Sequence, residues 1–245
     1  LMPTIEETRV FFDAIARRYD RVYAPSPEQT RARMARVVKA LGAPKRVLDL
    51  GVGTGRELPA LLDAGHVVTG VDCSDEMIAL CNQRARTIPI VRADLWRALP
   101  FDDASFDAVV SLFGSLSHPP NAASITRLGQ ELASVLVPDG VLYFEVPTPA
   151  WVAAGGARHD DGVAGVGIDV VAVDAEEWTR ALPNFTLTIE TVDDELIVIG
   201  TRNGGRWGVP STPRRCFTTK HLPCPALRSW IPLKTGPSTL RAFRV

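Results

Sequence analysis

Between residues 45 and 147 the chain alternates short, almost wholly apolar runs with longer amphipathic stretches. The runs cover 46–50, 66–71, 88–92, 106–112 and 141–146. Near 56–64, 75–86 and 121–136 the apolar positions fall at helical spacing, and Asp139-Gly140 supplies a turn before the last run. Strands that are apolar on both faces belong in a sheet covered on both sides, and strands separated by helices pair in parallel. Right-handed crossovers wind such units into a doubly wound sheet. The pattern therefore predicts an α/β fold with a mostly parallel sheet and helices on both faces.

The flanks follow other rules. Thr4-Ile5-Glu6-Glu7 has the form of a capping box, and Val10, Phe11, Ala14, Ile15 and Tyr19 continue it as a helix. Ser26-Pro27 opens a second helix whose apolar stripe is Met34, Val37, Val38 and Leu41, closed by Gly42 and Pro44. After Pro147 the rhythm breaks. Residues 150–167, rich in Gly and Ala, read as a loop. Residues 185–192 and 195–202 read as an inserted β hairpin turning at Asp193-Asp194. Beyond 208, Pro210, Pro213, Pro223, Pro225, Pro232 and Pro237 leave no room for a regular helix.

Composition narrows the class. At 46% hydrophobic and 22% charged, the 245-residue chain is that of a globular protein. No apolar run reaches the ~18 residues that would span a bilayer, and the first residues lack the basic and apolar regions of a signal peptide. A cytoplasmic protein without membrane partners is the expectation. Cys73, Cys81, Cys216 and Cys224 form no zinc-like pair, so no metal is expected. All 28 acidic residues lie at or before Glu195, whereas nine of the 27 basic ones follow it. An acidic body disfavours a nucleic-acid partner, although the basic end could meet an anion.

The chemistry starts at Asp49-Leu50-Gly51-Val52-Gly53-Thr54-Gly55, where an apolar strand meets a glycine-rich turn and then a helix. Glycines let the backbone approach a ligand at φ values other residues avoid. A tight turn with no ligand would look the same. The second strand ends in Asp72, placed to accept from both hydroxyls of a ribose. A dinucleotide stays open at this point, but its Gly-x-Gly-x-x-Gly fingerprint puts the third glycine one residue later than here. The third strand end gives Arg92-Ala93-Asp94-Leu95 and the fourth gives Phe106-Asp107-Ala108-Val109-Val110-Ser111-Leu112.

These four elements in order resemble a class I S-adenosylmethionine-dependent methyltransferase of the UbiE-like, small-molecule type. The turn Leu136-Val137-Pro138-Asp139-Gly140 and the lead-in Phe12-Asp13-Ala14-Ile15-Ala16-Arg17-Arg18-Tyr19-Asp20 extend the likeness to about residues 8–147. The resemblance implies a Rossmann-like fold and S-adenosylmethionine as cofactor. It puts Gly51 and Gly53 against the methionine part, Asp72 on the ribose, Asp94 on the adenine amino group and Leu95 and Met77 beside the ring. Tyr19 would lie over the sulfonium end, with Ser111 and Leu112 lining the passage to the acceptor. For Met77 and Leu95 plain core packing is the competing reading.

The implied division is N-terminal helices covering the cofactor site (1–44), the cofactor-binding core (45–147), an insertion with the hairpin as acceptor-side cover (148–210) and a divergent segment (211–245). His118, in Ser115-Leu116-Ser117-His118-Pro119, is the candidate base, against a packing role. His159 and His221 fall in segments without a readable pattern and receive no role. Trp151, Trp178 and Trp207 are candidates for the acceptor pocket or for packing. The expected activity is methyl transfer to N or O of a small-molecule acceptor by a monomer or homodimer. A non-catalytic S-adenosylmethionine-binding partner subunit and an NAD-type oxidoreductase are the alternatives.

Overall fold

The capping box expected at Thr4 is formed, and the structure adds a second at Ser26. In this computed structural model, which describes residues 2–23, 25–156, 158–159 and 167–204, the Thr4 hydroxyl accepts from Glu7 N–H while the Glu7 carboxylate accepts from Thr4 N–H (3.2 and 2.7 Å). They start α1 (Ile5–Val22). Ser26 and Gln29 do the same for α2 (Pro27–Leu41), with Pro27 in the first turn. The alternating core follows as β1 (Arg46–Leu50), α3 (Leu58–Asp63), β2 (Val67–Asp72), α4 (Asp75–Arg84), β3 (Ile90–Arg92), β4 (Phe106–Ser111), α5 (Ala122–Val135) and β5 (Leu136–Pro147). Beyond it lie α6 (Pro149–Trp151), a π turn at Val152–Gly156, the two-residue strands β6 (Arg158–His159) and β7 (Ile168–Asp169), α7 (Ala175–Ala181), β8 (Phe185–Val192) and β9 (Glu195–Arg202).

Seven strands form one sheet in the order β3-β2-β1-β4-β5-β9-β8, parallel throughout except for β9. Successive residues of each strand point to opposite faces, and the core divides accordingly. Leu48, Val109, Phe144 and Val198 pack under α5 and α7, around Leu128, Leu132 and Trp178. Val47, Val110, Tyr143 and Ile197 pack under α2 and α3, around Val37, Leu41 and Leu61. Both faces are therefore dry, as the continuous apolar runs require.

The hairpin lies where the sequence puts it, but its expected place as a cover is corrected. β9 pairs with β5 from Val141↔Thr201 to Pro147↔Glu195, completing the main sheet. The reason is legible in β9 itself. Leu196 and Val198 enter one core and Ile197 and Ile199 meet the other, so this strand is apolar on both faces and belongs inside a sheet. α7, capped by Asp174, is a helix the hydrophobic pattern did not suggest. No helix among the described residues is long and apolar enough to cross a membrane. Cys216, Cys224, Trp207, His221 and the divergent segment lie outside the described residues.

Candidate active site

The turn after β1 is fixed by the strand beside it. Gly51 N–H and Val52 N–H both donate to the Val71 carbonyl, at 2.8 and 3.0 Å, which folds the turn over the end of β2. Gly51 and Gly53 take φ of +77° and +53°, a region where a Cβ is strained. At Gly51 a Cβ would also stand 2.4 Å from Ser115 Oγ. At Gly53 nothing lies closer than 3.8 Å, so that face of the turn is open. Gly53 N–H donates to Asp72 Oδ2 (2.8 Å) and Ser74 N–H donates to Oδ1 (2.9 Å). Burial raises the Asp72 pKa, and these backbone donors oppose the rise.

Beneath the turn, Asp49 and Glu57 are both buried. Burial, then the charge of Glu57, raises the Asp49 pKa, and burial raises that of Glu57. At least one of the two holds a proton where an exposed carboxylate would not.

A cavity of about 500 Å³ opens over the carboxyl ends of β1, β2 and β4, the place where open parallel sheets bind ligands. Of the expected residues, Tyr19, Gly51, Gly53, Asp72, Met77, Leu95 and His118 line it. Asp94, Ser111 and Leu112 do not, and each has a local reason. Asp94 is turned to its own chain, accepting from Trp96 N–H at 2.8 Å and pairing with Arg97 at 3.2 Å. Ser111 is buried, and its hydroxyl donates to the Leu50 carbonyl (2.9 Å), tying β4 to β1. Leu112 packs in the core under α2. In their place Phe113, Gly114 and Ser117 reach the cavity. Phe113 has φ +56°, a strained value for an aromatic residue, and two guanidiniums hold its ring: Arg56 at 3.6 Å and Arg33 at 4.6 Å.

α1 closes the cavity from above and is tied down by polar contacts at two points. Asp13 accepts from Ser74 Oγ (2.6 Å) and from Glu76 N–H (3.2 Å). Asp20 accepts from Thr54 Oγ1 (2.7 Å) and from Arg84 (2.6 Å). Between these points Phe11, Ile15 and Met77 share a small apolar cluster with Ile168. Burial pushes the Tyr19 phenol up to about 12, so it stays a neutral hydroxyl.

His118 is buried, and its Nδ1 lies 3.0 Å from the Asp169 carbonyl. A carbonyl only accepts, so Nδ1 carries the proton and the neutral ring keeps its lone pair on Nε2. Burial pushes the pKa of the ring down to about 4. Val171 N–H donates to the Ser117 carbonyl (2.8 Å), so two bonds hold the 168–171 segment to the His118 loop. Ser117 Oγ is buried without a hydrogen-bond partner among the described residues. No group of three His, Cys, Asp or Glu among the described residues is placed to hold a metal ion.

Sequence reasoning missed Phe12, Tyr23, Arg56, Phe113 and His159, all of which line the cavity. A signal for the first two existed. Phe12, Tyr19 and Tyr23 stand seven and four residues apart and so share one helical face. Nothing local marked His159, which β6–β7 pairing delivers opposite Ile168. Trp151 lines the cavity, whereas Trp178 is core, its ring 4.6 Å from that of Phe144 and tilted by 57°.

Residues 47–140 match the methyltransferase domain family. Among curated relatives, a demethylmenaquinone methyltransferase of Beutenbergia cavernae is 38% identical over 144 residues, covering 57% of this chain and 58% of that one. The putative methyltransferase YqeM of Bacillus subtilis is 34% identical over 104 residues, 41% of this chain and 42% of that one. The chain thus spans about half the length of the curated relatives it matches. Of solved structures, the DhpI–SAH complex superposes with a TM-score of 0.67 at 24% identity, over 82% of this chain and 98% of that one. The CcbJ methyltransferase of Streptomyces caelestis does so with 0.66 at 18%, over 79% and 98%. Glycine turn, strand-end acid and strand order agree with the family match: residues 47–140 carry a methyltransferase domain, and the fold is shared with these solved structures.

Proposed function

We propose that this protein moves a methyl group from S-adenosylmethionine to a nitrogen or oxygen of a small-molecule acceptor by in-line displacement. The observation that carries the reading is the pairing of Asp72 with the open glycine turn. Each Asp72 oxygen is oriented by one backbone N–H and keeps a lone pair for one of two vicinal ribose hydroxyls. The bare face of Gly53 leaves room for the methionine part, and Met77 and Leu95 offer apolar walls to the adenine. The residues present therefore fit the cofactor, which supplies a methyl group already activated on a positively charged sulfur.

The protein's share of such a reaction is alignment and exclusion of water, effects that together supply several kcal/mol. α1, tied through Asp13 and Asp20, covers the reacting end. Where an acceptor must lose a proton, Nε2 of His118 is the group offered to take it. A second reading, methylation of a demethylmenaquinone-like acceptor, is favoured by the names of the relatives and by the aromatic lining of the cavity.

Calorimetric titration with S-adenosylmethionine and S-adenosylhomocysteine, with NAD as control, tests the cofactor. Both sulfur ligands should bind and NAD should not. Asp72→Ala should weaken S-adenosylhomocysteine by about 100-fold, since truncating one side of a buried, hydrogen-bonded charge contact costs ~2–5 kcal/mol. Binding of NAD, or affinity unchanged in Asp72→Ala, would refute the reading. Transfer of a carbon-13 methyl group, followed by NMR of the product, then separates N-, O- and C-methylation.

A further inference from the structure

Five aromatic rings close a circuit at the acceptor end of the cavity. Phe12 lies 6.2 Å from Tyr19, Tyr19 5.1 Å from Tyr23, Tyr23 5.3 Å from His159, His159 6.2 Å from His118 and His118 5.6 Å from Phe12. All five line the same cavity. The rings are inclined by 39° to 81° to one another, so none lies flat on its neighbour. Two come from α1 and one from Tyr23 at its C-cap, one from the loop after β4 and one from β6. Two imidazoles sit in the circuit, and burial lowers the pKa of both, so neither brings a positive charge. The carboxylates of Asp169 and Glu195 on the flanking segments are each held by an arginine, Arg158 and Arg33.

The Arg56 guanidinium already lies 5.2 Å over the Tyr19 ring, which leaves the neutral faces of Phe12, Tyr23 and the two imidazoles to attract an onium cation with methyl groups on its nitrogen. We propose that this girdle is an onium cage, and that the acceptor is an amine whose nitrogen becomes a methylated ammonium within it. The inference rests on the methyltransferase reading and narrows its acceptor to nitrogen. In the step itself, the nitrogen lone pair forms the new N–C bond as the methyl–sulfur bond breaks and leaves its electron pair on sulfur. The positive charge thereby passes from sulfur to nitrogen, and any N–H proton of the product leaves afterwards to water. No base is needed before transfer if the amine is weakly basic and reaches the site unprotonated. His118, whose pKa burial pushes down to about 4, is then not called on to take a proton.

The test compares choline with 3,3-dimethylbutan-1-ol, its uncharged carbon isostere, by calorimetry with and without saturating S-adenosylhomocysteine. Choline should bind about tenfold or more tightly than the isostere, as a desolvated cation–π site requires. Phe12→Leu and Tyr23→Leu should each pull that ratio toward one, with Phe12→Tyr restoring it. A merely structural loss would weaken both probes alike and leave the ratio intact, which would overturn the proposal. So would equal binding of the two probes by the unaltered protein. Choline displaced by S-adenosylhomocysteine would assign the rings to the cofactor and overturn it as well. Failure of S-adenosylhomocysteine to bind, with the choline preference intact, would instead refute the methyltransferase reading and leave the cage standing.

Discussion

The sheet with its glycine turn and the cover formed by α1, residues 149–156 and residues 167–171 build the same cavity by different means. In the sheet, each functional group is held by the main chain: Gly51 and Val52 by the Val71 carbonyl, Asp72 by two N–H groups, Ser111 by the Leu50 carbonyl. In the cover, side chains make most of the ties, through Asp13, Asp20 and a circuit of rings, beside one main-chain bond from Val171 N–H to the Ser117 carbonyl. Main-chain contacts constrain position and tolerate few alternatives. Side-chain contacts can be replaced one at a time. The sheet therefore sets where the cofactor would lie, and the cover is free to set which acceptor follows it.

Two tryptophans, one in each region, put the largest number on this contrast. Trp178 is fully buried against Phe144, so Trp178→Ala should cost about 4 kcal/mol of unfolding free energy in urea. Trp151 is half-buried on the cavity wall. Trp151→Ala should shift stability by no more than about 0.5 kcal/mol while raising the KM for the acceptor. Comparable losses of stability in both variants would mean that the cover is as much framework as the sheet.

Arg33 sits on the junction, and the expected effect is somewhat smaller. Its Nε lies 2.7 Å from a Glu145 oxygen and its Nη2 2.5 Å from Glu195, joining α2 to β5 and the hairpin turn. The Glu145 side chain is wholly buried, with Tyr143 Oη donating to it at 2.9 Å and Arg36 at 3.9 Å. Burial raises its pKa, and Arg33 opposes the rise. Arg33→Met should cost about 3 kcal/mol, because it strands a buried carboxylate. Adding Glu145→Gln should recover most of that loss, and thermal unfolding of the pair of variants reads both. No recovery would show that Arg33 acts by packing on Phe113 rather than by charge.

How much was legible in the sequence divides along the same line. The five apolar runs, the Thr4 capping box, the helix start at Ser26-Pro27, Gly51, Gly53 and Asp72 were readable because each depends on neighbours within a few residues or on strand periodicity. Asp94, Ser111 and Leu112 were assigned by position after a strand, but a strand end does not say which of its last residues turns outward. Ser111 and Leu112 turned into the sheet, and Phe113 turned out. The hairpin was found and misplaced, since its pairing partner β5 lies about 50 residues away. His159 and Arg33 became functional candidates only through contacts of 41 residues or more, from His159 to His118 and from Arg33 to Glu145, and no local pattern encodes those.

The smallest expected effect tests both regions in one titration. The His118 pKa is lowered from its ordinary 6.5 to about 4, so between those values the unfolded chain binds more protons than the folded one. Stability from this group therefore rises with pH across that window and is flat above it. Glu57, beneath the glycine turn, has its pKa raised above the ordinary 4.5 by burial. There the folded chain keeps a proton that the unfolded chain releases, so stability from this group falls as pH rises from 4.5. In the overlap, pH 4.5–6.5, cover and framework act with opposite signs, each by at most about 1.4 kcal/mol per pH unit. Relative to the unaltered protein, His118→Gln should make the slope of stability against pH more negative, and Glu57→Gln should make it more positive. Urea unfolding at half-unit steps of pH would resolve the two. Identical slopes in all three proteins would mean that neither group is held away from its ordinary protonation, and that water reaches the turn and the ring circuit alike.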